Sequence, residues 1–222
     1  MNSKPSKSSE MGTAPIGKVL LKQSIPAGIG FLVMSVYMIV DTIFVGQYVG
    51  PLAIAAITVV LPVSFLISSF GMAIGMGGAS IIARALGAKD NYLASNTFGN
   101  QTTLTMVLAT LFVVLGFVYN EPILQLFGAN GAVLPYAKEY FKIIVLGVPF
   151  LAWAMMSNQV ARAEGQPKVA MMVMALPAIL NLVLDPLFII YFEWGLAGAA
   201  WATSISYAVS ALYILFFFVS GK

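Results

Sequence analysis

The sequence contains no cysteine and no histidine, and only 9% of its 222 residues are charged. Without cysteine there is no disulfide frame. Without either residue there is no thiol or imidazole metal site and no Cys-His or Ser-His-Asp apparatus. The scarcity of charge excludes more. Soluble domains carry roughly 25% Asp, Glu, Lys and Arg, and 11 basic plus 8 acidic side chains cannot cover the apolar bulk of a 23.6 kDa protein in water. What is abundant is hydrophobic surface: 60% apolar residues and a mean hydropathy of +0.94. That is the composition of a chain whose solvent is lipid. The net charge of +3 is dispersed between long apolar runs, which speaks for orientation in a bilayer and against a nucleic-acid partner.

Residues 1–15, MNSKPSKSSEMGTAP, are rich in Ser, Lys and Pro and have no apolar core of signal-peptide length. They read as a disordered, uncleaved cytoplasmic tail. From Ile16 to Ile25 apolar residues are spaced around Lys18 and Lys22, as in an interfacial lead-in helix. Spanning takes about 20 largely apolar residues, and six stretches meet that length: 24–46, 54–82, 95–119, 135–161, 168–192 and 195–219. They are separated by QYVGP at 47–51, RALGAKDNY at 84–92, NEPILQLFGANG at 120–131, RAEGQPK at 162–168 and a tight turn near Glu193–Gly195. The expectation is an all-α membrane protein, with residues 16–220 forming one six-helix unit.

Basic residues test this map, because cytoplasmic loops collect them. Lys4, Lys7, Lys18, Lys22, Arg84, Lys89, Arg162, Lys168 and Lys222 fall on one side, and only Lys138 and Lys142 on the other. An even number of spans with both termini in the cytoplasm follows, in the cell (plasma or inner) membrane.

Two acids escape the loops. Asp41 lies in SVYMIVDTIFVG and Asp185 in NLVLDPLFII, each 17 residues along its span from Ser24 and Lys168 respectively. A carboxylate at mid-helix costs about 2.5–3.5 kcal/mol on insertion scales, so such residues face a bundle interior or a wet cavity. Both spans run outward, which places the aspartates at equal depth in the outer half. Tyr37 precedes Asp41 by four and Asn181 precedes Asp185 by four, so each pair shares a helix face. Carboxylate, amide and hydroxyl oxygens suit a small hard cation, and the same group, desolvated, suits a proton. Asp41, Asp185 and Asn181 are the candidate ligands if the ion is sodium. No other cofactor is expected.

Proline within a helix frees a carbonyl one turn back and permits a bend. Pro26 in the first span, and Pro177 and Pro186 bracketing Asn181 and Asp185 in the fifth, are the candidate hinges; Pro177 frees the carbonyl of Val173. The segment GMAIGMGGAS at 71–80 holds G-x-x-x-G at Gly71 and Gly75, a close-packing signal without the Lys and Ser/Thr of a phosphate loop.

Several stretches in order, VDTIFVGQYVGPLAIAAIT, PVSFLISSFGMAIGMGGASIIARALGAKD, NQVARAEGQPKVAM and NLVLDPLFI leading to GLAGAAWATSIS, resemble the N-terminal half of multidrug and toxic compound extrusion (MATE) transporters over residues 15–222. The resemblance implies one lobe of a two-lobe, inverted-V transporter that exports cationic or amphipathic drugs against protons or sodium, and no enzyme. It implies Asp41 and Asp185 as the coupling acids, with Tyr37, Asn181 and Thr203 as neighbours and Tyr140 and Asn158 lining the substrate cavity. The chain is half the family's length, so the resemblance implies a half-transporter that works with a second half-length copy or a separate C-terminal lobe, or else a truncated fragment that does not transport. A related lipid-linked oligosaccharide flippase is the alternative. The two acids and the lack of a base in the membrane interior favour cationic cargo over its pyrophosphate. An aspartyl-protease dyad is a poor match, because the flanks are Val-Asp and Leu-Asp-Pro where intramembrane aspartyl proteases have Tyr-Asp and Gly-x-Gly-Asp.

Overall fold

The computed structural model describes residues 15–220. The expected tail, apart from Pro15, lies outside the described residues. The elements are α1 (Ile16–Tyr48), α2 (Pro51–Gly87), α3 (Asn91–Val118), α4 (Asn120–Leu126), α5 (Val133–Ala163), α6 (Pro167–Asp185), a π-helical turn (Pro186–Tyr191) and α7 (Gly195–Ser220). Six helices are long and apolar enough to cross a membrane, with α6 and the π turn forming one span, Pro167–Tyr191.

Two local expectations change. The lead-in and the first span are a single helix, because nothing between Ile16 and Tyr48 stops it and Pro26 is accommodated within it. The segment 120–131, read as a plain break, contains α4: Leu124 is buried in the core, and Glu121 forms a salt bridge with Lys138 of α5. Other connections follow turn chemistry. Asp90 caps α3 by accepting from the Leu93 N–H at 2.9 Å. The tight turn into α7 places Glu193 and Gly195 at φ 56° and 53°, a region that costs glycine little.

α5 is the hub, packed against α2, α3, α6 and α7, while α1 leans mainly on α6. The burial follows this order: 67% of the most apolar stretch of α5 is buried within the protein, but only 11% of that of α1. Lipid supplies no hydrophobic drive between helices, so close packing and interhelical hydrogen bonds must hold the bundle. Gly71 and Gly75 of α2 lie on the α5 backbone; a Cβ on Gly75 would stand 2.7 Å from the Met156 carbonyl oxygen. Side chains also reach across to main-chain carbonyls: Ser204 Oγ donates to Ile143 (3.1 Å) and Trp153 Nε1 donates to Ala211 (3.3 Å). Pro177 leaves the Val173 carbonyl without its helical donor, and Ser210 Oγ of α7 donates to that oxygen at 2.7 Å. At Val173 the chain thus meets the demand that backbone groups in lipid be satisfied.

Ser210→Ala is expected to cost about 1 kcal/mol, seen as a lower Tm of the purified protein in detergent. In a Pro177→Ala background the cost should shrink, because the restored backbone N–H takes the Val173 carbonyl. Equal losses in both backgrounds would show that Ser210 acts elsewhere.

Candidate functional site

The packing of α1 on α6 brings the two intramembrane acids together. Asp41 and Asp185 are within hydrogen-bonding reach of one another. Asp185 is 1% exposed, and Asp41 Oδ1 is buried with no protein partner. Neither aspartate has a salt bridge among the described residues. Two carboxylates in such contact repel strongly in a low dielectric, and a hydrogen bond between them requires a proton on one. The arrangement is chemically complete only with a proton or another cation.

Asn181, one turn before Asp185, lies between that carboxyl group and Thr203 of α7. In one amide orientation Nδ2 donates to Thr203 Oγ1 at 3.1 Å, leaving the amide oxygen for a protonated Asp185. In the other, Nδ2 donates to the Asp185 carboxylate (3.2 Å to Oδ1, with a closer approach to Oδ2), and the amide oxygen accepts from Thr203 Oγ1 at 3.1 Å. The same three side chains therefore suit an ionised or a protonated Asp185. Amide orientation follows from hydrogen-bond complementarity, so Asn181 and Thr203 form a support that serves both states.

Tyrosines close the cluster. Tyr37 and Tyr140 lie within electrostatic reach of both aspartates, and Tyr140 lies beside Thr203. Tyr207 lies within reach of Asp41, Tyr37 and Tyr140. The sequence reading omitted Tyr207, although its signal was present: it follows Thr203 by four, the spacing that links Tyr37 to Asp41 and Asn181 to Asp185. The donors are hard oxygens, and no group of three or more acids, His or Cys occurs among the described residues, so the site suits a monovalent cation or proton.

The remaining expected residues are placed differently. Asn158 lies 18 residues from Tyr140 on α5, about 27 Å along the helix. Its Nδ2 donates to the Ala170 carbonyl at 2.6 Å, and its Oδ1 accepts from Arg162 Nε at 3.0 Å; it joins α5 to α6. Pro186 begins the π turn immediately after Asp185, where Phe192 N donates to the Leu187 carbonyl at 3.0 Å. Such turns concentrate at functional sites. Pro177 bears on the Val173–Ser210 contact, and Pro26 lies 15 residues from Asp41 inside an unbroken helix.

The MatE family model matches residues 26–187. A protein named FAD transporter, from Shewanella oneidensis, is 35% identical over 202 residues, covering 89% of this chain and 44% of that protein. The multidrug export protein MepA of Staphylococcus aureus is 32% identical over 211 residues, 94% of this chain and 46% of MepA. A solved outward-facing multidrug resistance MATE family transporter aligns with a TM-score of 0.90 at 30% identity, over 97% of this chain and 48% of that one. The chain therefore spans about half the length of the relatives it matches.

Asn158→Ala is expected to destabilise by about 1–3 kcal/mol, because it strands buried partners, while cation binding to the purified protein stays unchanged. Asn181→Ala should weaken that binding about tenfold, or 1.4 kcal/mol. Thermal unfolding and calorimetric titration separate the two effects, and an Asn158 variant with impaired binding would place that residue in the site.

Proposed function

The chain belongs to the MatE family, and from that premise we propose that it is the cation-coupling lobe of a multidrug efflux antiporter driven by protons or sodium. The observation that carries this reading is the contact between Asp41 and Asp185 across α1 and α6. Ion binding neutralises the repulsion between the two carboxylates, and its loss restores it. An ion with different affinity for two arrangements of α1 and α6 shifts the balance between them. Asp41 lies seven residues, about 10 Å, from the Tyr48 end of its helix, so the ion enters from that side. The distribution of Lys and Arg makes it the outer side, with both termini cytoplasmic.

The substrate class follows from the same residues. Two acids, three tyrosine rings and no base favour organic cations or amphipathic compounds carrying positive charge, which acids attract and aromatic faces stabilise. A second six-helix lobe, in the same polypeptide or from another copy of this one, completes the path. A second reading is export of a flavin dinucleotide, favoured by the name of the Shewanella relative. An anionic cargo then needs its positive contacts from the other lobe.

The test is efflux from cells or vesicles under separately imposed proton and sodium gradients, with a fluorescent organic cation and FAD as alternative cargoes. Gradient-driven export of the cation is expected, lost in Asp41→Asn and Asp185→Asn without loss of membrane insertion. Coupling that survives both changes would remove the pair from the mechanism, and export of FAD alone would establish the second reading.

A further inference from the structure

Helix α6 and its π turn are fixed to α7 at three levels. Ser210 Oγ donates to the Val173 carbonyl, Asn181 meets Thr203 Oγ1, and Gly198 lies on the Phe188 carbonyl. Asp185 stands between the second and third of these contacts. A Cβ on Gly198 would lie 2.9 Å from both the carbon and the oxygen of that carbonyl and 3.1 Å from Phe188 Cβ, an approach that glycine alone permits. The Phe188 carbonyl cannot retreat by itself. It accepts from the Trp194 N–H at 3.0 Å, Phe192 N closes the turn on the Leu187 carbonyl at 3.0 Å, and the rings of Phe188, Phe192 and Trp194 pack together with centroids 5.9, 5.1 and 5.4 Å apart.

Phe188 is three residues beyond Asp185. Pro186, between them, lacks the N–H that a regular helix would place on the Leu182 carbonyl. The backbone after Asp185 is thus held by α7 as well as by its own turn. We propose that Gly198 is a positioning residue of the aspartate pair: by seating the Phe188 carbonyl on α7, it fixes how closely Asp185 meets Asp41 of α1. A methyl group at position 198 pushes the turn off α7 while Thr203 still holds Asn181, so Asp185 pivots about the helical turn that precedes it. The inference rests on the reading of the pair as an ion site, which gives the separation of the two carboxyl groups its consequence.

Aspartate occurs only at positions 41, 90 and 185, so ¹³C labelling of aspartate side-chain carboxyls in the full chain gives an assignable solid-state NMR spectrum in lipid bilayers. A cross-peak between the Asp41 and Asp185 carboxyl carbons is expected in the unaltered chain and lost in Gly198→Ala. Gly75→Ala, which sets a methyl group against the Met156 carbonyl at the α2–α5 seam, should lower Tm but keep the cross-peak. Should Gly198→Ala not fold, Phe188→Leu, which loosens the same seat by removing a ring, is expected to weaken the cross-peak. A cross-peak unchanged in the variant that folds overturns the proposal, and its absence from the unaltered chain overturns the pair itself. Sodium and proton uptake by the unaltered chain are measured alongside. A cross-peak without uptake is failure of the ion-site reading, whereas uptake with a cross-peak indifferent to Gly198→Ala is failure of the positioning role.

Discussion

The contact of Asp41 with Asp185 is the constraint to which the functional half of the structure answers. Two carboxyl groups in hydrocarbon are tolerable only if they share a proton or cation and if their remaining oxygens are supported. Asn181 and Thr203 give that support, and Tyr37, Tyr140 and Tyr207 surround it with polarisable rings and hydroxyls. Four spans, α1, α5, α6 and α7, contribute to one cluster. None of its members is explained by packing alone.

Rigidity comes from elsewhere in the bundle. α5 is enclosed by its neighbours, α2 meets it backbone to backbone at Gly71 and Gly75, and side chains of α5 and α7 bond main-chain carbonyls on facing helices. The same device offsets the irregularity that proline introduces: Pro177 removes one donor and Ser210 provides another. α1, by contrast, exposes most of its surface and rests mainly on α6. The element bearing Asp41 is thus the least enclosed of the spans, while Asp185 sits where an α-helix gives way to a π turn. The proposed ion at the pair would act on the least enclosed span and on the irregular π turn that follows Asp185.

Much of this was legible in the chain. Long apolar runs interrupted by Gly, Pro and charged turns marked six spans, because spanning length is set by bilayer thickness. The two intramembrane acids stood out because their cost demands a purpose, and the i, i+4 rule assigned Tyr37 and Asn181 to them. The same rule applied to Thr203 reaches Tyr207. The bonds of Asn158 to Ala170 and Arg162 were not legible, because a polar residue within a span has the same sequence signature whether it lines a cavity or ties two helices together. Helix α4 was missed because seven residues do not establish a period.

By itself the sequence determined the solvent, the number of spans, the distribution of charge along them and the depth of the two aspartates, since each depends on composition or on distance along one helix. Only the tertiary structure decided that α1 packs on α6 so that the acids meet, that Thr203 and Tyr207 of α7 join them, and that Asn158 bonds to the Ala170 carbonyl of α6. Which faces of separate helices touch depends on the summed fit of small and large side chains over whole interfaces, and no single helix period contains that information.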